Sequence, residues 1–195
     1  RPFIAPFRNF ERFLKLSMMD DSSICQTMGV SPAKPGVYPY QLDHYTCRPC
    51  QSHISEDDYI DKMRKMICSS DGSYYVLVAA NADKEPLGKI RSFDYNPRNH
   101  SAEFGYYLPK QNRNKGLGSI MLRQFVGLSF GDSKYNLNKL YATTSSGNIP
   151  SVRLLEKCGF TMDGRQREHY WIDGKRYDQL IYSIMRSEWD VANSA

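Results

Sequence analysis

"SAEFGYYL" (residues 101–108), followed by "RNKGLG" (113–118) and "SIMLRQFVGLSF" (119–130), is an apolar run, a basic glycine-rich turn and a segment of different periodicity. In the first run, alternation places Glu103, Gly105 and Tyr107 on one face of a strand and Phe104, Tyr106 and Leu108 on the other. After the turn, Leu117, Ile120, Met121, Phe125 and Leu128 recur at helical spacing as far as Gly131. The stretch therefore predicts strand, turn and helix. Amides at a helix start have no intrahelical partner, and glycine lets an anion reach them without a side chain in the way. Gly116 and Gly118 fit that need, with Arg113 and Lys115 at the flanks; the plainer alternative is a tight strand-to-helix turn. Two familiar phosphate motifs are excluded: the dinucleotide fingerprint needs a third glycine, and a Walker loop needs a lysine where Gly118 precedes Ser119.

Working outward, "YYVLVAA" (74–80) and "PLGKIRSFDY" (86–95) read as strands before this one. Links this short leave no room for crossover helices, so the three form an antiparallel meander. Downstream, "NKLYATT" (138–144) is another strand, and "NIPSVRLLEKCGF" (148–160) is a helix with Asn148 as cap, Pro150 in its first turn and Gly159 as a left-handed terminator. Residues 162–185 close as strand, Asp173-Gly174 turn and strand. Upstream, residues 9–29 read as one or two short helices, and 55–70 as a helix capped by Ser55. Between them, residues 30–54 carry prolines, tyrosines and histidines without a sustained period, and read as a long loop or insertion. The whole, 1–195, is one α/β (α+β) domain with a mixed, mostly antiparallel sheet flanked by helices.

The composition agrees. With 195 residues, 41% apolar and 24% charged, the chain can bury a core and is neither disordered nor collagen-like. The net charge of +5 favours anionic partners in general, but the basic residues are scattered and give no nucleic-acid footprint. No apolar run approaches the roughly 20 residues of a membrane span, and no cleavable signal opens the chain, so a cytoplasmic location is expected. Five cysteines at irregular spacing make a poor disulfide framework and point to a reducing compartment. His44, Cys47, Cys50 and His53 are zinc-compatible in type, yet all four crowd into one segment rather than forming two separated pairs. The expectation is no metal. Cys158 is read as helix packing, and His100 and His169 as ordinary histidines.

Together these elements resemble the GCN5-related N-acetyltransferase (GNAT) superfamily, and within it the branch of ribosomal-protein N-terminal and spermidine acetyltransferases. Arg113, Gly116 and Gly118 fit its Gln/Arg-x-x-Gly-x-Gly/Ala loop, "SAEFGYYL" is similar to the branch's "AEIGY" strand, and "NIPSVRLLEKCGF" fits its Asn-x-x-Ser helix ending in "EKxGF". The resemblance implies acetyl-CoA bound across a V-shaped gap between two central strands. Its pyrophosphate would lie on Arg113, Asn114, Lys115, Gly116, Leu117, Gly118 and Ser119, and its pantetheine arm beside Tyr106, Tyr107 and Leu108, with Asn148 and Ser151 touching the arm. An amide near Tyr106 would polarise the thioester carbonyl as negative charge grows there.

A thioester is already activated, so direct transfer to a neutral amine requires only positioning and removal of a proton. Glu103 is the candidate base, since a carboxylate within an apolar strand gains basicity by burial; a structural pairing with arginine is the alternative. Spermidine-type members carry a tyrosine where this chain has Leu155, so the acid that protonates the leaving thiolate is unassigned, with solvent, Tyr141 and Tyr170 as candidates. The expected function is N-acetyl transfer to a primary amine, a protein N-terminus or a small polyamine-like acceptor. A CoA-binding sensor without catalysis is the alternative, and the family-level expectation for assembly is a homodimer.

Overall fold

The computed structural model describes residues 2–6, 38–39, 53–54, 73–78, 86–172 and 174–194. Nine strands are described: β1 Phe3–Pro6, β2 Tyr38–Pro39, β3 His53–Ile54, β4 Tyr74–Val78, β5 Pro86–Asn96, β6 Ser101–Tyr107, β7 Lys139–Ser145, β8 Thr161–Ile172 and β9 Lys175–Met185. Three α-helices accompany them, α1 Leu117–Gly131, α2 Ile149–Lys157 and α3 Arg186–Asn193, with a 3-10 turn at Lys110–Asn112. Seven strands form one sheet in the order β1-β4-β5-β6-β7-β9-β8, and β2 pairs with β3 apart from it. The expected meander β4-β5-β6 is antiparallel throughout. Among the described strands, the one parallel join is β6 with β7, linked through α1, as a crossover connection requires. The domain is thus a mixed, mostly antiparallel sheet flanked by helices.

The core lies between this sheet and α1. Phe104 of β6 packs against Phe125 of α1 at 5.6 Å between ring centres and against Phe160 at 5.3 Å. Leu77, Ile90, Met121, Leu122, Leu140 and Leu155 around them are fully buried. The inward stripe of α1 is Met121, Leu122, Phe125, Val126 and Phe130, whereas Leu128, counted in the sequence repeat, is 47% exposed. Leu128 lies outside the arc that the sheet covers, because the stripe follows 3.6 residues per turn. In α2, Asn148 caps with its side chain on the Ser151 amide, Pro150 sits in the first turn and Gly159 has φ of +90°, as its sequence anticipates.

Several elements depart from the sequence reading. β1 pairs with β4 and is tied to α1 by Gln124, whose Oε1 accepts from Ile4 N and whose Nε2 donates to the Pro2 carbonyl. α3 continues directly from β9, where Glu188 accepts the Met185 amide. Inside the segment read as loop, Tyr38–Pro39 and His53–Ile54 form a short ladder. The helices expected over 9–29 and 55–70 lie outside the described residues, as do His44, Cys47 and Cys50.

Candidate active site

The site follows from where β6 and β7 stop pairing. Their parallel register covers only Ser101 with Lys139, Ala102 with Leu140 and Glu103 with Tyr141. β6 runs on to Tyr107, held on its outer side by β5, and β7 runs on to Ser145, held on its outer side by β9. Beyond Glu103 the two strands part, and their facing backbone edges border a gap. α1 follows β6 and α2 follows β7, so both helices begin at the gap end of the sheet. Ligands of open α/β sheets gather at such a place, where positive helix ends meet beyond the carboxyl ends of parallel strands.

The start of α1 is open. Gly116 is its N-cap with φ of +74°, no side chain caps it, and a Cβ built there meets nothing within 4 Å. Asn114, also left-handed at φ 59°, is exposed together with Lys115. The other members of the turn face inward. A Cβ on Gly118 lies 3.0 Å from Leu154 Cδ2, so the lack of a side chain here admits α2. Arg113 donates from Nε to the Leu108 carbonyl at 2.9 Å and holds the turn onto the end of β6, with its guanidinium 5.9 Å from the Tyr107 ring. Leu117 and Ser119 are half-buried, and Ser119 bonds to Cys158, a buried thiol whose pKa is raised by that burial.

On the helix side of the gap, the Tyr106 hydroxyl and Ser151 Oγ are 2.6 Å apart, joining the end of β6 to the start of α2. Burial pushes the Tyr106 phenol up to about 12, with the Ser151 bond partly opposing the shift. The phenol therefore keeps its proton at neutral pH. Asn148 spends Oδ1 on its cap to Ser151 N at 3.4 Å, so its amide group is the part suited to a ligand. Leu155, one turn after Ser151, is fully buried in the core.

On the opposite face stands Glu103, 8% exposed, whose Oε1 accepts from Thr143 Oγ1 at 3.2 Å. Tyr141 lies opposite it on β7, and burial followed by the Glu103 charge raises the Tyr141 pKa. Tyr170, the other tyrosine considered as an acid, is buried on β8 with its hydroxyl accepting from Gln179. His100 and His169 are exposed. The structure thus brings Glu103, Tyr106, Asn148, Ser151 and the 113–119 turn to one end of the sheet. Thr143 had no signal of its own in the sequence, since its meaning depends on the β6 to β7 register.

A model of the acetyltransferase (GNAT) domain matches residues 35–161, more than half of the chain. The chain belongs to the GNAT family. The likeness to its spermidine and ribosomal acetyltransferase branch also holds across relatives. The chain is 32% identical to the SPbeta prophage-derived uncharacterized N-acetyltransferase YokL of Bacillus subtilis over 59% of this chain and 64% of that protein. It is 28% identical to a spermidine N(1)-acetyltransferase of Vibrio cholerae over 58% of this chain and 64% of that one. These matches therefore span less than two thirds of the relatives' length. A crystal structure of spermidine N-acetyltransferase from Vibrio cholerae in complex with CoA and spermine shares the GNAT fold, with TM-score 0.74, 20% identity, and 96% and 97% of the two chains covered. Among the described residues, no helix is long and apolar enough to cross a membrane, and no group of three metal-ligating side chains occurs.

Proposed function

We propose that this GNAT protein transfers the acetyl group of acetyl-CoA directly to a primary amine at the gap between β6 and β7. The observation that carries the reading is the parting of the two strands immediately after Glu103, with the uncapped, glycine-opened start of α1 at the same end. The residues present fit the cofactor. The amides after Gly116 offer donors to a pyrophosphate, and exposed Lys115 and Asn114 stand beside them. The edge of residues 106–107 that faces away from β5 runs along the gap, where the pantetheine arm would lie, with Asn148 and Ser151 across from it.

When bound, acetyl-CoA supplies an activated thioester carbonyl. An amide on the edge near Tyr106 would serve as the donor to its oxygen, a fixed dipole where negative charge develops. Glu103 receives the amine proton, directly or through water, from the face opposite Tyr106 and Ser151. The Tyr106 to Ser151 bond joins the end of β6 to the start of α2 on the far wall of the gap. Acceptors compatible with a carboxylate base at the gap are a protein N-terminus and a small polyamine-like amine. A CoA-binding sensor would share the cofactor wall without needing Glu103.

Calorimetric titration with acetyl-CoA tests the cofactor half, using the wild type, Gly116→Leu and Lys115→Glu, the last at an exposed position that leaves packing untouched. Micromolar binding weakened at least tenfold in either folded variant supports the reading. Equal binding by all three would remove it. Acetyl transfer to spermidine and to a peptide with a free N-terminal alanine then separates enzyme from sensor, since a sensor binds the cofactor and acetylates neither.

A further inference from the structure

Glu103 and Tyr141 form the last rung between β6 and β7. Alternation returns Thr143 to the same face of β7 as Tyr141, one step beyond that rung and beside the opening gap. Its hydroxyl donates back to Glu103 Oε1, bridging the point where backbone pairing has ended. The donor is held firmly. Thr143 is paired on its other side with Ile181 of β9, and a β-branched side chain has few χ1 choices on a strand.

Among the described residues, the charged and titratable groups on this face include Tyr107 of β6, Lys89, Arg91 and Asp94 of β5, Lys139 and Tyr141 of β7, and Asp163 of β8, the last paired with Lys139. Arg91 lies over the ring of Phe93, which is the register partner of Glu103 on β5. Among these neighbours, Thr143 supplies an uncharged donor that addresses one particular oxygen of the carboxylate.

We propose that Thr143 is a positioning residue: its hydroxyl fixes the Glu103 carboxylate at the mouth of the gap, ready to receive the amine proton. This rests on the reading of Glu103 as the base. A hydrogen-bond donor to the ionised form of a carboxylate favours that form, and the Thr143 hydroxyl is such a donor. The side chain then sets both where the base points and the pH at which it works.

The test combines two readouts on the full chain. Glutamate labelled with carbon-13 at Cδ, with Glu103→Gln to assign the resonance, gives the titration of Glu103 by NMR in the wild type, Thr143→Val and Thr143→Ser. Acetyl transfer to spermine and to an alanine-initiated peptide gives kcat/KM against pH for the same proteins. Thr143→Val is expected to raise the Glu103 midpoint by about one pH unit and to carry the acid limb of kcat/KM upward with it, on the order of tenfold below the midpoint. Thr143→Ser should restore both.

An unmoved NMR midpoint in Thr143→Val, or a moved midpoint with an unmoved acid limb, overturns the assignment of Thr143 alone. If Glu103→Gln keeps the wild-type acid limb, the base is elsewhere, and it is the reading of Glu103 that fails. Absence of transfer to both probes by the wild type removes the enzymatic reading and this inference together.

Discussion

Replacing Gly118 with alanine sets two effects of known size against each other. Gly118 lies in the first turn of α1 and is not among the left-handed glycines, so alanine meets no backbone strain there. In a helix interior the exchange is worth up to about 1 kcal/mol in favour of alanine. Against it, the new Cβ would stand 3.0 Å from Leu154 Cδ2, 3.4 Å from Leu154 Cδ1 and 3.5 Å from Leu108 Cδ1. Overpacking of a well-filled site costs about 1 to 3 kcal/mol. The net expectation is a loss of about 1 kcal/mol, which lowers Tm by roughly 2 to 4 °C in a chain of this size. Both shortest contacts belong to one side chain, so Leu154→Val should relieve them and turn the same exchange into a gain relative to that background. Thermal unfolding of the four proteins of this double-mutant cycle reads the coupling. If Gly118→Ala shifts Tm equally in both backgrounds, with coupling under about 0.5 kcal/mol, the packing argument is refuted.

Tyr106→Phe removes the bond to Ser151 and should cost about 1 kcal/mol of stability, with weaker acetyl-CoA binding by calorimetry as Ser151 loses its fixed partner; unchanged Tm and affinity would contradict it. Arg186 donates to the Leu137 carbonyl at 2.8 Å and the Phe130 carbonyl at 2.6 Å, tying the start of α3 to the end of α1. Arg186→Ala should lose about 2 to 3 kcal/mol in urea unfolding, and Arg186→Lys should recover only part of it because lysine lacks the planar fork. The Asp163 carboxyl is held below its ordinary value of 3.8, chiefly by the bond from Lys139. A depressed carboxylate stabilises the fold above its unfolded pKa, and the effect vanishes as pH falls through the folded one. Asp163→Asn should therefore lower stability slightly at pH 7, by well under about 1 kcal/mol for so exposed a pair, with a correspondingly small fall in Tm, and match the wild type in strong acid. A Tm difference that persists in acid would point to something other than charge.

Local rules carried much of the fold. The strands β4, β5 and β6 are legible because apolar alternation and short links leave no other arrangement, and α2 because Asn148, Pro150 and Gly159 mark its ends by backbone chemistry alone. β1 was not legible: four residues acquire strand identity only by meeting β4 and, 120 positions along the chain from Ile4, Gln124. α3 escaped because its start merges into β9, with Glu188 serving as a cap that the sequence does not distinguish from surface charge. In the site, the glycine turn and Glu103 could be named from sequence, but not the division of labour within them. Gly116 and Gly118 look equivalent in the motif, and only packing shows that one opens to solvent and the other admits Leu154. Arg113 is legible as a cation beside the turn, but not the bond from its Nε to the Leu108 carbonyl that fixes its place. Thr143 depends on a register between strands separated by a whole helix.

The three parallel rungs between β6 and β7 have a further consequence for how the molecule holds together. On one side stand β1, β4, β5 and β6; on the other stand β7, β9 and β8. The sheet is thus two leaves on a short spine, each stitched internally by longer antiparallel seams. Anything that fills the gap and bonds to both edges supplies the missing rungs, and a ligand at a hundred times its Kd adds about 2.7 kcal/mol to the bound form. Amide exchange along residues 104–107 and 142–145 should slow most when the leaves are bridged. The opening proposed for the ligand thus lies beside the shortest ladder of the seven-stranded sheet.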